Sequence, residues 1–266
     1  MENSKISVIT VCYNAADTLE KTIQSVLGQT YPNIEYIIID GGSTDGSVDI
    51  IRKYADRIAY WVSEPDGGIY EAMNKGIKVA TGDYINFMNA GDIFYDSNVL
   101  LNISPVIDDG LDIVSGIALL DESNKCWKPF EEKKLCLMYF YLQGLCHQAT
   151  FIKRILFNNC LYDEKLRIVS DSKFFIQKII LDGCTYVTSD VIVCRFEKGG
   201  ISSNTVRQRE EIEIVMHELF PERICRDYQR SAKYYSLIYV KIIRHIDNVL
   251  FKILSPVCKV VQMILG

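Results

Sequence analysis

The sequence contains nine cysteines, Cys12, Cys126, Cys136, Cys146, Cys160, Cys184, Cys194, Cys225 and Cys258, but no Cys-x-x-Cys pair. An odd, scattered set among apolar neighbours offers neither a disulfide framework nor a metal-ligand spacing. It reads as reduced thiols packed as small hydrophobes. No run reaches the roughly 18–20 apolar residues of a membrane-spanning helix. The first residues, MENSKISVITVCYN, lack a basic stretch followed by a long apolar one, which argues against a secretory signal. Basic residues are not in excess: 29 Lys and Arg stand against 34 Asp and Glu, a net charge of −5, so a broad nucleic-acid-binding face is not expected. These absences point to a cytoplasmic protein with no nucleic-acid partner.

Two further absences narrow the nucleotide chemistry. No G-x-G-x-x-G follows the first apolar run, where CYNAADT stands instead, and no G-x-x-x-x-G-K-[ST] occurs. A dinucleotide fold and a P-loop both lose their main support. What is present is an ordinary globular balance over 266 residues, 48% hydrophobic and 24% charged, which suits one or two domains.

Apolar, β-branched runs alternate with helical periodicity. ISVITVCY (6–13), YIIID (36–40), IAYWV (58–62) and DYINFM (83–88) read as strands. Between them, Leu19, Ile23, Val26 and Leu27, then Val48, Ile51 and Ala55, then Ile69, Met73, Ile77 and Ala80 mark helical faces. Ser43, Thr44 and Asp45 are cap-type residues ahead of the second helix. Such a βαβ series predicts an α/β fold with a central, mostly parallel sheet flanked by helices. Ligands bind such sheets beyond the carboxyl ends of the strands. Here those ends are Cys12–Asn14, Asp40–Ser43, Ser63–Gly68 and Asn89–Asp92, each polar or glycine-rich. Further on, LDIVSGIALL (111–120) and TYVTSDVIVCRF (185–196) read as strands and LCLMYFYLQG (135–144) as a helix. CHQATFIKR (146–154) reads as a turn into a strand, and Ser170 is placed as the cap of a helix opening SDSKFF.

Several polar residues have two readings. Asp40 is a ligand-binding carboxylate or a turn residue. Asp92, in NAGD, holds a divalent cation or closes a type I turn. Asp171 is a general base or a carboxylate at a helix N-terminus. His147, in CHQA, is a pocket residue or a core histidine, and Gln148 is placed with it on the acceptor side.

Taken together, ISVITVCYNAADTLEKTIQSVLGQTYPNIEYIIIDGGSTDGS, GIYEAMNKGIKVATGDYINFMNAGD and SDSKFF resemble the family 2 glycosyltransferases, in the branch that builds bacterial surface polysaccharides. The likeness is dense over 5–95 and thinner over 144–200. It implies the GT-A (Rossmann-like) fold and inverting transfer of a sugar from a nucleoside-diphosphate donor, UDP-linked, to a glycan or lipid-linked acceptor. It places Thr10, Tyr13 and Asn14 beside the nucleotide, Asp40 on the base and Asp66 facing the nucleotide sugar. Asn74 and Lys75 fall near ribose and diphosphate, and Asn89 to Asp92 at the metal region. Asp171 takes the place of the catalytic base. Mn²⁺ or Mg²⁺ is the implied cofactor. Two departures stand out: the family's aspartate pair after the second strand is Asp40–Gly41 here, and its Asp-x-Asp-Asp is Asn89–Ala90–Gly91–Asp92. Metal binding therefore rests on Asp92. A sugar-1-phosphate nucleotidyltransferase would want a Gly-rich turn with Arg and Lys in place of CYNAADT, and a degenerate sugar-binding or scaffold protein is the third alternative.

The catalytic domain is expected over 1–210, with a donor half (1–100) and an acceptor half (101–210), followed by a helical extension over 211–266. From Tyr239 the pattern is a basic amphipathic helix that fits either the inner-membrane surface or a docked position on this chain or a second copy of it. KGGIS (198–202) with Arg207 reads as a lid or as a plain surface loop.

Overall fold

In a computed structural model the described residues are 3–120, 125–129, 131, 135–196 and 204–232. The apolar runs form β1 (Ile6–Cys12) and β2 (Ile34–Asp40), every residue of β1 and all but the first of β2 being buried. Alternate side chains serve opposite faces. Val8 joins the cluster of Leu19 and Ile23 from α1 (Ala16–Leu27), whereas Ile9 meets α3 (Ile69–Val79) at Gly76. Each buried Ile or Val contributes roughly 1.5–3 kcal/mol, so a strand covered on both faces is favoured despite its lack of polar alternation.

β1 lies between β2 and β4 (Tyr84–Phe87), and β3 (Tyr60–Ser63) flanks β2; all these pairings are parallel. The sheet continues through β8 (Thr150–Lys153), β6 (Ile113–Leu120), β9 (Tyr186–Phe196) and β5 (Ile93–Phe94), with β7 (Lys125–Trp127) against β6. β8 enters antiparallel to both β4 and β6, while β6 and β9 pair in parallel. The parallel order thus belongs to the first half, and the second half is mixed. The remaining helices are α2 (Ser47–Lys53), α4 (Val99–Asp108), α5 (Leu137–Leu142), α6 (Ser170–Phe175), which runs on into a wider turn over Ile176–Leu181, and α7 (Thr205–Leu219).

One expected cap is corrected. Ser170 lies inside α6, and its hydroxyl accepts the Asp163 N–H instead. α2 starts at Ser47 behind a left-handed Gly46, and Asp45 accepts the N–H groups of both Ser47 and Ala16, serving two helix starts at once. The chain divides into a compact unit ending at Val215 and a second beginning at Met216, of which 222–232 are helical. The amphipathic segment from Tyr239 and the KGGIS stretch lie outside the described residues. Among the described residues no helix is long and apolar enough to cross a membrane.

One polar network ties the entry edge of the sheet together. Glu35 on β2 accepts hydrogen bonds from Ser7 Oγ, Thr81 Oγ1, the Thr81 N–H and Lys5 Nζ. Burial alone would raise its pKa, but these donors outweigh it and hold the carboxyl at about 2 against an ordinary 4.5. A depressed carboxylate stabilises the fold above its unfolded pKa and loses that contribution as pH falls through the folded value. Glu35→Gln is therefore expected to cost about 1–3 kcal/mol at neutral pH. In urea unfolding, that gap between variant and wild type should shrink as pH falls from about 4.5 toward 2. A gap independent of pH would contradict this account.

Candidate active site

The carboxyl ends of β1, β2, β3 and β4 meet in one set of loops, and the first element of the site is a locked turn. Asp40 ends β2 in register with Cys12 of β1 and Ser63 of β3. Its carboxylate accepts from Ser43 Oγ, Ser63 Oγ and the N–H groups of Gly42 and Ser43, with the Cys12 thiol also directed at it. Burial would raise its pKa, yet the Ser43 and Ser63 hydroxyls win and the carboxyl sits below its ordinary value. Asp40 is fully buried and engaged on both oxygens, and it holds the turn after β2 in place. Thr10 is buried as well, with Oγ1 against Tyr36 OH and donating to Met88 C=O. Tyr13 is exposed at the end of β1. Asn14 adopts a positive φ of 47°, which Asn tolerates better than most residues, and accepts the Thr44 N–H on its side chain.

Asp66 is half-buried in the loop after β3. Burial chiefly raises its pKa, with Glu71 and Asp40 adding to the effect. A Cβ at Gly41 would lie 2.7 Å from Asp66 Oδ2, so glycine in the second position of the family's aspartate pair makes room for this carboxylate. Asp66 in turn accepts the N–H of Gly68, whose φ of 143° favours glycine. Lys75 is held from the helix side by Glu64 at 3.0 Å, Glu71 at 3.4 Å and Pro65 C=O at 3.1 Å. Its three donors brace the turn, and contact with a diphosphate would break two ion pairs. Asn74 is buried, and its amide clips the Tyr162 backbone through both N–H and C=O, with Glu164 as a further acceptor. It holds α3 against the 162–164 segment.

The second element surrounds Asp171, the second residue of α6. His147 Nδ1 lies 3.0 Å from Asp171 Oδ2, and His147 Nε2 lies 3.1 Å from Asn89 Nδ2. A carboxylate can only accept, so Nδ1 carries a proton and donates it to Asp171. Burial disfavours a charged imidazole, but the Asp171 carboxylate outweighs it and the His147 pKa is raised. Asp171 Oδ1 accepts the Ser172 N–H at 2.8 Å, and the Tyr70 hydroxyl shares its proton between Ile168 C=O at 2.7 Å and that oxygen at 3.2 Å. Burial, then the Asp171 charge, pushes the Tyr70 pKa well up, so it remains a donor. The next residue, Gln148, donates to Asp92 Oδ2 at 3.1 Å. The Asn89–Asp92 turn is itself clipped by Thr22 of α1, which accepts the Gly91 N–H and donates to Asp92 C=O. Consecutive residues His147 and Gln148 thus join the proposed base to the proposed metal region.

Of the expected site residues, Asn89, Asp92, His147, Gln148 and Asp171 are joined by hydrogen bonds or a shared turn, Tyr13, Asn14 and Asp66 lie in the strand-end loops, and Thr10, Asp40, Asn74 and Lys75 bond to neighbouring groups of this chain. Sequence reading placed Ser63 at a strand end without its bond to Asp40, and missed Tyr70 and Arg167. Ser63 could have been found from strand register, since a parallel pair places it opposite Asp40. Arg167, exposed, donates from its guanidinium to Gly67 C=O; nothing local marks it.

Such an arrangement, acids and glycines at parallel strand ends with a supported carboxylate across the sheet, is that of a group-transfer enzyme. The glycosyl transferase family 2 model matches residues 7–160, and the chain belongs to that family. It is 31% identical over 257 residues to the uncharacterized glycosyltransferase Rv1514c of Mycobacterium tuberculosis, covering 87% of this chain and 92% of that one. It is 29% identical over 211 residues to the PGL/p-HBAD biosynthesis glycosyltransferase Rv2957 of the same organism, covering 77% and 81%. Its fold matches S. aureus TarS 1-349, solved in complex with UDP-GlcNAc, with a TM-score of 0.66 at 18% identity, over 84% of this chain and 70% of that one. The protein is a glycosyltransferase with the GT-A fold.

Proposed function

We propose that the enzyme is an inverting glycosyltransferase that moves a sugar from a nucleoside-diphosphate sugar, UDP-linked, to a hydroxyl of a glycan or lipid-linked acceptor. The observation that carries this is the joined set Asp171, His147, Asn89, Gln148 and Asp92. Its hydrogen bonds join a supported carboxylate to the turn that carries a second acid. Asp171 takes the proton of the acceptor hydroxyl as that oxygen attacks the anomeric carbon in line. The bond to the diphosphate oxygen breaks, its electron pair leaves with the nucleoside diphosphate, and configuration inverts. Tyr13 offers an open ring face to the base.

Among the described residues there is no group of three or more His, Cys, Asp or Glu that could hold a metal ion. Asp92, whose Oδ2 is oriented by Gln148, would hold a divalent cation as a single protein carboxylate, a pattern that suits Mn²⁺ or Mg²⁺ when phosphates and water complete the shell. Bound there, such an ion would offset charge on the leaving diphosphate.

Titration with UDP, GDP, CDP and ADP, with and without Mn²⁺, tests the donor class, and NMR of the product anomer tests the stereochemistry. UDP is expected to bind most tightly and the product to be inverted. Absence of binding by every diphosphate, or a retained product, would overturn the reading. Release of pyrophosphate from a nucleoside triphosphate and a sugar phosphate would place the enzyme with the nucleotidyltransferases.

A further inference from the structure

Outside the machinery described, one buried carboxylate has an unusual set of partners. Glu211 lies in the middle of α7 and is nearly inaccessible. Both of its oxygens accept the Arg167 N–H at 3.0 Å, and Oε2 also accepts the N–H groups of Ile168 at 2.8 Å and Val169 at 3.3 Å. Arg207, one turn earlier on α7, donates to Oε1 at 3.0 Å. A single side chain thus captures the N–H groups of three consecutive residues.

Those residues lead directly into α6, whose preceding residue Val169 supplies no side-chain cap. The N–H groups at a helix start need acceptors from elsewhere, and Glu211 supplies one from a different helix. What hangs from this segment is functional at both ends. Upstream, the Arg167 side chain reaches Gly67 C=O in the Asp66 turn. In the middle, Ile168 is held by Glu211 on its N–H and by Tyr70 on its C=O. Downstream, Asp171 is two residues past Val169 and meets the same Tyr70 hydroxyl.

We propose that Glu211 is a positioning residue for the transfer step: it fixes residues 167–169, and through them sets Asp171 against the acceptor and Arg167 against the donor turn. This rests on the assignment of Asp171 as the base. An amide at 211 has one acceptor oxygen and presents N–H to N–H, so the segment shifts without loss of the surrounding core. Small misplacements of a catalytic group cost up to about 10²-fold in rate.

The test uses the full chain, UDP-GlcNAc as donor with water as acceptor, and UDP release as the readout. Glu211→Gln is expected to lower kcat about 10–100-fold while the Kd for UDP stays within about threefold. Ile212→Ala, a buried neighbour on α7, is the stability control: it should lower Tm and leave kcat within about threefold. Unchanged kcat in Glu211→Gln, or equal kcat losses in both variants, would overturn the proposal. Should Glu211→Gln not fold, Arg167→Ala alters an exposed side chain and is expected to lower kcat about 5–30-fold; wild-type kcat there would overturn it as well. Asp171→Asn, measured alongside, separates the two readings. If it retains turnover, the assignment of the base fails; if it is inactive while Glu211→Gln is normal, only the role of Glu211 fails.

Discussion

Asp171→Asn is expected to lower turnover by about 10²–10⁴-fold, the usual worth of a positioned general base, while nucleoside diphosphate affinity is unchanged. The amide keeps the shape of the carboxylate and can still accept from Ser172 N–H and Tyr70, so the loop is held. What it loses is the oxygen that receives the acceptor proton and the natural partner of His147 Nδ1–H. The turns of Asp40 and Asp66 are held by hydrogen bonds in which Asp171 takes no part, which is why binding and turnover should separate. Steady-state kinetics paired with calorimetric titration of UDP checks both halves. Wild-type turnover, or a parallel loss of UDP binding, would remove Asp171 from the role of base.

Phe174→Ala should have the largest effect on stability. Phe174 follows Asp171 by almost one helical turn and is almost fully buried. Its ring stacks on Phe157 with centroids 4.5 Å apart and meets Tyr162 edge-on at 5.6 Å, while Phe87 of β4 contacts both Phe157 and Tyr162. This aromatic cluster is the floor on which the helix of Asp171 rests. Removing a buried Phe ring costs about 3–5 kcal/mol through lost transfer energy and the cavity left behind. At roughly 2–4 °C per kcal/mol for a unit of this size, Tm should fall by roughly 6–20 °C. Phe174→Leu, which keeps much of the volume, should cost less. A loss below about 1 kcal/mol in Phe174→Ala, measured by urea unfolding, would mean that the cluster is not what supports α6.

The parallel half of the sheet was legible from the chain because it is written in short-range patterns. β-branched runs made β1 and β2, and periods near 3.6 made α1 and α3. Polar or glycine-rich ends to four apolar runs located the loops, and glycine at 41, 42, 67 and 68 announced close backbone approach. The roles of individual acids were less legible. Asp40 and Asp171 look alike as strand-end or helix-start aspartates, and only the fold shows that the first is held by Ser43 and Ser63 and the second by Tyr70 and His147. The second half was harder again, since β8 pairs antiparallel with β4 across 62 or more positions of chain and no local signal carries that choice.

By itself the sequence determined the α/β architecture, the strand-end loops and the set of acids from which the site is drawn, because each depends on periodicity or on residue type within a few positions. Only the tertiary structure decided which of those acids act together. Tyr70 meets Asp171 across 101 residues, His147 meets Asn89 across 58, and Glu211 meets Arg167 across 44. Contacts of that range are chosen by how the sheet and helices pack, so Lys75 and Asn74 became braces and Glu211 a clamp although nothing in their neighbourhoods in the chain distinguishes them.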